Sequence, residues 1–340
     1  MGQLSFSQHE LLGSHAYAKA HEAAGMRLHG GFDSAGCYVP PRTLFREPAL
    51  AAWTARLRAR GGDLLAADSS LLAGIRYPSE AQQKLLLREG LGQTFWNMLT
   101  ITGRIEARGR LLAEMGFPEL QPALVEDVSE MAVGHLNRGL LHAHGLDEGG
   151  EPDLGIGGHD VMWFALRDLA FGPTTWPEPE VPSNIGRADP PAPRIPQLPL
   201  AIERTIYFLL NLLMIEFRAE RGFSLTQRML RDPELFGSRR AEAEEAAILV
   251  ERIRTDEEIH VRSLRLYLGE LRSLHFRTQD GGTLAGAEVV DSLWQDIVRW
   301  ATVEQPKLAA EQQRTLFTRR ILEHPDGRRL LAAFDALEEH

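Results

Sequence analysis

Apolar residues recur along the chain at three- and four-residue intervals, the spacing of one face of an α-helix, whereas alternating strand patterns are nearly absent. Two capping-box sequences, Ser7-x-x-Glu10 and Ser79-x-x-Gln82, mark helix starts. The pattern therefore predicts an almost entirely helical protein. The predicted helices cover approximately residues 7–26, 47–60, 79–115, a stretch that ends near 144, 159–171, 200–222, 241–276 and three segments after the turn at 280–282.

A proline-rich stretch divides the chain into two halves. Residues 172–199 contain nine prolines, and proline excludes a helix interior and favours an extended connection. Trp176 and Ile195 lie within this stretch, which favours a segment packed on a surface over a disordered linker between two domains. The predicted layout is therefore one helical hairpin, a long crossover and a second hairpin.

The strongest chemical signal is the sequence DEEIH at residues 256–260. Glu257 and His260 are three residues apart, so their side chains point to the same side of the predicted helix. That side also carries four apolar residues, Val250, Ile253, Val261 and Leu264. Burying a carboxylate and an imidazole is costly unless they are paired. Two kinds of pairing are open. The two side chains bind a metal ion, or the spacing arose by chance and the side chains are hydrogen bonded to each other.

A single glutamate on each of two other predicted helices also faces the interior. Glu216 lies on the apolar stripe of one helix, and Glu106 lies on that of another. Glu216 followed forty residues later by Asp-Glu-x-x-His resembles the repeated motif of ferritin-like di-iron oxygenases, including the arylamine oxygenase group. This resemblance spans Glu216 to His260. It implies a ferritin-like fold, two metal ions, dioxygen activation, and Asp256 as a carboxylate that orients a histidine ligand.

The first hairpin should supply a second Glu-x-x-His, but it departs from the motif. If the chain turns near residue 117 and returns as a helix, Glu130 is one of the carboxylates nearest to Glu106. The position three residues after Glu130 is Val133 rather than histidine. His135 is the best imidazole on the same stripe, as a ligand or as a hydrogen-bonded core residue. Other candidates are Glu126, His142 and His159.

These residues define a predicted metal site. Carboxylate oxygens combined with imidazole suit iron or manganese, ions that bind dioxygen at an open coordination position. The chain contains one cysteine, which excludes zinc-finger and iron–sulfur sites. The predicted metal ligands are Glu106, Glu130, His135, Glu216, Glu257 and His260.

A second group of metal-binding residue types precedes the glycines at 149 and 150. It consists of His142, His144, Asp147 and Glu148. Alternate residues of a helix point in nearly opposite directions, so His142 and His144 do not share a face. This arrangement favours a solvated helix end over a metal cluster.

Composition limits the classes of partner. The formal net charge is −10, with 47 acidic and 37 basic residues, which argues against a general nucleic-acid binder. The longest apolar run, 205–215, is too short to span a bilayer. One cysteine, Cys37, and no apolar signal segment after Met1 make the cytoplasm the expected compartment. A small-molecule substrate is therefore expected, with no nucleic acid and no membrane.

The expected architecture is an all-α fold with three parts. Residues 1–75 form an N-terminal helical extension, residues 76–276 a ferritin-like helical bundle with its crossover at 172–199, and residues 277–340 C-terminal helices packed on the bundle. The resemblance implies an oxidoreductase, a non-haem dinuclear iron or manganese oxidase or oxygenase. Such an enzyme would act on a small organic substrate with dioxygen and an external electron donor, and a homodimer is compatible with the sequence.

Two other functions stay open at this point. The first is a metal-poor or metal-free helical binding or scaffold protein, favoured by Ser129 and Val133 where a second ExxH histidine would stand. The second is a mononuclear metal hydrolase. Substituting Glu257 separates a ligand from an unmetallated buried acid, because only a ligand is needed for metal binding.

Overall fold

The structure is a computed structural model that describes residues 4–74, 77–172 and 176–337. Helices make up most of these residues, so the expectation of a mainly α-helical protein is confirmed. The helices are α1 (Gln8–Leu11), α2 (Arg46–Ala59), α3 (Glu80–Arg88), α4 (Gln93–Gly109), α5 (Leu140–Gly149), α6 (His159–Phe171), α7 (Leu200–Arg231), α8 (Arg240–Ser273), α9 (Gly286–Arg299), α10 (Gln305–Leu322) and α11 (Gly327–Ala336).

Two small antiparallel sheets accompany the helices. The first contains β1 (Lys19–Ala23), β2 (Met26–Phe32) and β3 (Tyr38–Val39), and the second pairs β4 (His275–Arg277) with β5 (Thr283–Ala285). The expected helix to residue 26 is therefore wrong: its capping box forms, but α1 ends at Leu11. The β1–β2 hairpin turns through Ala24 and Gly25, both at positive φ. Alanine is uncommon in such a turn, so the sequence gives little sign of it.

The helix expected over 79–115 is interrupted. It begins at the capping box of Ser79 and Gln82, as expected, but α3 ends at Arg88. The chain then passes through Gly90 at φ 81° before α4 begins. A break of this kind changes the direction of the chain. Glu106 therefore lies on α4, which is separate from α3, and it is buried there.

The return helix expected before residue 144 is also wrong. Residues 116–131 contain one short 3₁₀ turn, Gln121–Ala123, and a bridge from Leu124 to Phe276. A 3₁₀ segment over Ala132–Arg138 follows, and α5 begins only at Leu140 and continues to Gly149. Ligand positions counted along an assumed helix from residue 117 are therefore displaced.

The second half of the chain contains two long helices that pack against each other, α7 and α8. Helix α7 is longer than the sequence pattern indicates, because it continues through Gly222 to Arg231, whereas α8 ends at Ser273, three residues before its predicted end. Helix α9 packs against both of them. Among the residues that the structure describes, no helix is both long enough and apolar enough to cross a membrane.

The proline-rich crossover lies against the bundle. Within its described part, residues 176–199, the backbone N–H of Arg187 donates to the Asn211 side chain on α7 at 2.9 Å. Arg108 of α4 donates to the carbonyl oxygen of Pro182, so the segment spans from α4 to α7. Pro173 and the boundary expected between residues 75 and 76 lie outside the described residues.

A buried acid, Glu270, ties α8 to the loop that precedes α5. Its carboxylate accepts the backbone N–H groups of Ala132 at 3.2 Å and Val133 at 2.9 Å. Glu270 is fully buried. Burial raises its pKa to about 7, although the two N–H groups favour the charged form. The folded protein therefore binds a proton at Glu270 more tightly than the unfolded chain does.

Glu270 is expected to make stability depend on pH. Its stabilising effect is complete below its ordinary pKa of 4.5 and is lost as the pH rises through about 7. The unfolding free energy of the wild type, compared with that of Glu270→Gln, should fall by roughly 2–3 kcal/mol between about pH 5 and about pH 8. Urea unfolding of both proteins at the same metal content measures this difference. A difference that stays constant over this range would contradict the assignment.

Candidate metal centre

Seven buried acids and histidines from five consecutive helices converge in the interior of the protein. None of their side chains is part of the surface, because each residue is at most 7% exposed. They are Glu106 from α4, His144 and Glu148 from α5, His159 from α6, Glu216 from α7, and Glu257 and His260 from α8.

The seven residues form two groups that share a side chain. Within each group, one ligand atom from every member lies within 4.8 Å of the others. We name the first group the carboxylate-rich subsite, which consists of Glu106, Glu148, His159 and Glu257. We name the second group the histidine-rich subsite, which consists of His144, Glu148, Glu216 and His260.

Glu148 and Glu257 connect the two subsites, because each turns one oxygen towards either side. Glu257 Oε1 lies 3.1 Å from His159 Nδ1, and its Oε2 lies 2.8 Å from His260 Nδ1. Glu148 Oε2 lies 3.5 Å from His159 Nδ1, and its Oε1 lies 3.4 Å from His144 Nε2. Two carboxylates in this position can bridge a pair of cations.

Helical spacing brings the ligands of each helix together. His144 and Glu148 are four residues apart on α5, and Glu257 and His260 are three apart on α8, so each pair shares a face. The imidazoles of His144 and His260 stack with their ring centres 3.8 Å apart. His144 Nε2 also lies 3.1 Å from Glu216 Oε1, which joins α5 to α7.

Glycines let α4, α5 and α6 approach closely at this point. A Cβ atom on Gly109, three residues after Glu106, would lie 2.5 Å from Glu148 Cγ. A Cβ atom on Gly158 would lie 2.3 Å from the backbone nitrogen of Gly150. Gly158 directly precedes His159, so this contact sets the point at which His159 enters the interior.

The substitution Gly109→Ala is expected to weaken metal binding. Its new methyl group would displace Glu148, and we expect an affinity loss of about 10-fold or more, as for other changes that misplace a ligand. Gly222→Ala is the matched control, because its Cβ would meet no atom within 4 Å inside α7. The control should bind metal normally and gain about 0.5–1 kcal/mol of stability. Equal metal affinities in the two variants would contradict the prediction.

Behind His159 lies a buried carboxylate, Asp256. Its Oδ2 atom accepts a hydrogen bond from His159 Nε2 at 3.2 Å. The same oxygen accepts from His29 Nε2 and from the Tyr38 hydroxyl, each at 3.0 Å. Hydrogen bonding at Nε2 leaves His159 Nδ1 directed at the carboxylates, the arrangement that fixes the orientation of a metal-binding histidine.

Behind His260 lies a second buried carboxylate, Asp147. Its Oδ2 atom accepts a hydrogen bond from His260 Nε2 at 3.1 Å. Arg42 and Arg46 each form a salt bridge of 2.6 Å with Asp147. His260 therefore has the same geometry as His159, with Nε2 held by a carboxylate and Nδ1 facing the cluster. The residues that support both carboxylates come from the N-terminal segment 29–46.

Burial and neighbouring charges shift the pKa values in the cluster. Burial together with neighbouring carboxylates raises the pKa of Glu106 well above its usual range and that of Glu216 to about 8. Burial opposes ionisation of Glu257, but the nearby imidazoles outweigh it and lower its pKa to about 2. Burial disfavours charged histidine, yet the carboxylates raise the pKa of His159 and His260. The acids thus require positive charge among them, which a bound cation also supplies.

Four of the six ligands predicted from sequence meet in this cluster: Glu106, Glu216, Glu257 and His260. The other two lie elsewhere, and their assignment as ligands is corrected here. Glu130 is exposed, and its carboxylate lies 3.7 Å from Arg56. His135 is buried in a separate part of the core, where Nδ1 donates to the Met131 carbonyl oxygen at 2.7 Å. Both errors follow from the helix that was expected after residue 117.

Three members of the cluster were not among the predicted ligands: His144, Glu148 and His159. The prediction of a solvated helix end near residue 148 is wrong, because His144 and Glu148 are buried. The four-residue spacing of His144 and Glu148 could have predicted that these two side chains share a face of α5, whether or not His142 takes part. His159 is a candidate imidazole in the sequence, but its neighbours in the sequence do not indicate where its side chain points.

Comparison with known proteins does not assign the chain to a family. No family model, no curated protein and no solved structure matches the chain. The chemistry of the site therefore follows from its own residues.

Proposed function

We propose that this protein is a dinuclear metalloenzyme of ferritin-like arrangement, an oxidase or oxygenase that uses iron or manganese and dioxygen to oxidise a small organic molecule. The observation that carries the proposal is the convergence of four glutamates and three histidines on two adjoining positions, with Glu148 in both groups and Glu257 facing a histidine of each. In this arrangement α4 and α7 each supply one glutamate, and α8 supplies Glu-x-x-His. Helices α5 and α6 together supply the remaining donors.

Glu257 and His260 are hydrogen bonded to each other, with Oε2 and Nδ1 2.8 Å apart, but hydrogen bonds do not satisfy every donor atom of the cluster. His159 Nδ1 is buried without a hydrogen-bond partner, although it lies 3.1 Å from Glu257 and 3.5 Å from Glu106. A cation bound at about 2.1 Å from each donor places neighbouring donors about 3 Å apart. The separations of 3.1 and 3.5 Å are close to this value, so a shared cation would satisfy an atom that hydrogen bonds leave unpaired.

The charges also fit two divalent ions. The negative charge of four ionised carboxylates balances the positive charge of two divalent cations, and neutral imidazoles add donors without adding charge. Buried acids are otherwise rare because ionisation in an apolar interior is costly. Ile253 and Leu264, on either side of the ligands along α8, are fully buried, so water has little access from these positions.

A bound iron or manganese pair would supply the redox chemistry, since such ions take electrons from a donor and reduce dioxygen. The protein residues have separate tasks. Glu148 and Glu257 hold the two positions together, while Asp147 and Asp256 keep His260 and His159 oriented. The buried apolar residues beside the cluster on α8 limit the access of water, which favours oxidation of an organic substrate over a hydrolytic reaction.

Metal analysis tests this proposal. Protein produced with iron is expected to contain two ions per chain, to absorb visible light as a coupled ferric pair, and to consume dioxygen when a reductant is added. Metal-free protein whose stability does not change on adding iron or a chelator would overturn it. The scaffold alternative predicts this second outcome. Ser129 and Val133, which stand where a second ExxH histidine would be, favour this alternative less strongly, because Glu148 and His159 lie beside Glu106 instead.

A further inference from the structure

The two subsites of the metal centre have different donor atoms. The carboxylate-rich subsite offers three carboxylates and one imidazole, and the histidine-rich subsite offers two of each together with the facing oxygen of Glu257. Oxygen donors suit Mn²⁺, whereas imidazole suits Fe²⁺ and later ions of the series. Selectivity for Fe²⁺ over Mn²⁺ should therefore be greater in the histidine-rich subsite than in the carboxylate-rich subsite.

The charges behind the two subsites differ as well. Asp147, behind His260, contacts two guanidinium groups, those of Arg42 and Arg46. Guanidinium is charged at every relevant pH, so the negative charge of Asp147 is fully compensated. Arg42 also reaches Glu151 at 3.0 Å, which places one more acid at the edge of this network. The carboxylate behind the histidine-rich subsite thus adds little attraction for a cation.

Asp256, behind His159, has no such compensation. Its partners beside His159 are His29 and Tyr38, and neither carries a permanent charge. Its second oxygen, Oδ1, is buried without a hydrogen-bond partner in the described structure. The negative charge of Asp256 therefore acts on the carboxylate-rich subsite through His159. Both the donor set and the surrounding charge make this subsite the stronger one for a hard cation.

We propose that the two subsites bind different ions: Mn²⁺ occupies the carboxylate-rich subsite and Fe²⁺ the histidine-rich subsite. The proposal rests on the two-metal function above and resolves its choice between iron and manganese. When a single kind of ion is supplied, the carboxylate-rich subsite fills first. When both are supplied in limiting amounts, each ion goes to the subsite that discriminates in its favour.

Titration with Mn²⁺ alone tests the order of filling. Metal-free full-length protein is titrated anaerobically while the electron paramagnetic resonance signal of free Mn²⁺ is recorded. The expected curve has two steps, with the first ion held about 10-fold or more tightly than the second. A single step in which two ions bind equally would overturn the proposal while leaving the two-metal function intact. Absence of any binding would overturn both.

Two single substitutions assign the steps. Glu106→Gln removes a ligand of the carboxylate-rich subsite only, and it should eliminate the tight step. His144→Gln removes a ligand of the histidine-rich subsite only, and it should leave the tight step in place. Circular dichroism confirms that each variant is folded. Equal loss of both steps in the two folded variants would contradict unequal subsites.

Anomalous diffraction from the unaltered protein gives an independent test that needs no variant. Crystals are loaded anaerobically with one equivalent each of Mn²⁺ and Fe²⁺, and data are collected at the manganese and iron absorption edges. Manganese is expected next to Glu106 and His159, and iron next to His144 and Glu216. The same mixture of both ions at the two positions, or the reverse order, would overturn the proposal.

Discussion

The substitution Glu257→Gln is expected to abolish binding of two metal ions, whereas Glu258→Gln should retain both. Glu257 is buried, and its two oxygens face His159 and His260 in different subsites. Removing its charge therefore affects both positions, and we expect an affinity loss of at least about 100-fold, larger than the loss caused by a supporting residue. Glu258 is the next residue on α8 and is exposed, so it is the matched control.

Thermal unfolding with and without metal separates this result from simple misfolding. Metal that binds only the folded protein raises the unfolding temperature of the wild type and of Glu258→Gln. Glu257→Gln should show no such rise, and its metal-free stability is expected to be lower, because the buried His159 and His260 lose a carboxylate partner. A metal-dependent rise of the wild-type size in Glu257→Gln would show that Glu257 is not a ligand.

The second large effect is expected for Asp147→Asn, which leaves two buried guanidinium groups without their carboxylate. Arg42 and Arg46 are 4% and 3% exposed, and both contact Asp147 at 2.6 Å. Breaking a buried ion pair from one side typically costs about 3–5 kcal/mol. We expect an unfolding free energy lower by about that amount, and metal affinity lower by about 10–100-fold because His260 loses its support.

Asp153→Asn provides the comparison for this prediction, because Asp153 is exposed and lies in the same region of the chain. Exposed substitutions of this kind change stability by less than about 0.5 kcal/mol. Urea unfolding of both variants measures the difference. If Asp147→Asn is as stable as Asp153→Asn, the network of Arg42, Arg46 and Asp147 is not a structural support of the centre.

The candidate ligands on long, regular helices could be predicted from sequence. Glu216, Glu257 and His260 lie on α7 and α8, where apolar spacing alone determines which side chains face inward. Glu106 was found for the same reason on α4. In each case the apolar neighbours are within two helical turns, so the information is local.

The ligands on α5 depend on packing that the local sequence does not reveal. Gly145 and Gly149 indicate a helix end, since glycine is unfavourable within a helix. The helix continues because these glycines face the chain after α4, where a Cβ on Gly145 would lie 2.3 Å from the Ala113 nitrogen. Close approach between segments thus outweighs local preference, and it buries His144 and Glu148.

The supporting residues could not be predicted because their partners are remote in sequence. His29 contacts Asp256 across 227 residues, and Arg42 contacts Asp147 across 105. The segment 19–39 folds as a small sheet, whereas a helix was expected as far as residue 26, and the sheet places His29 and Tyr38 beside α8. Helical periodicity is a local pattern and does not predict contacts between positions so far apart in the sequence.

A crystallographic anomalous map at the iron edge tests the central claim most directly. Protein loaded with iron is expected to show two peaks about 3.5–4 Å apart, the usual spacing of a two-metal site, on either side of Glu148 and Glu257. A map without a peak among these residues, in crystals whose metal analysis shows bound iron, would contradict the account.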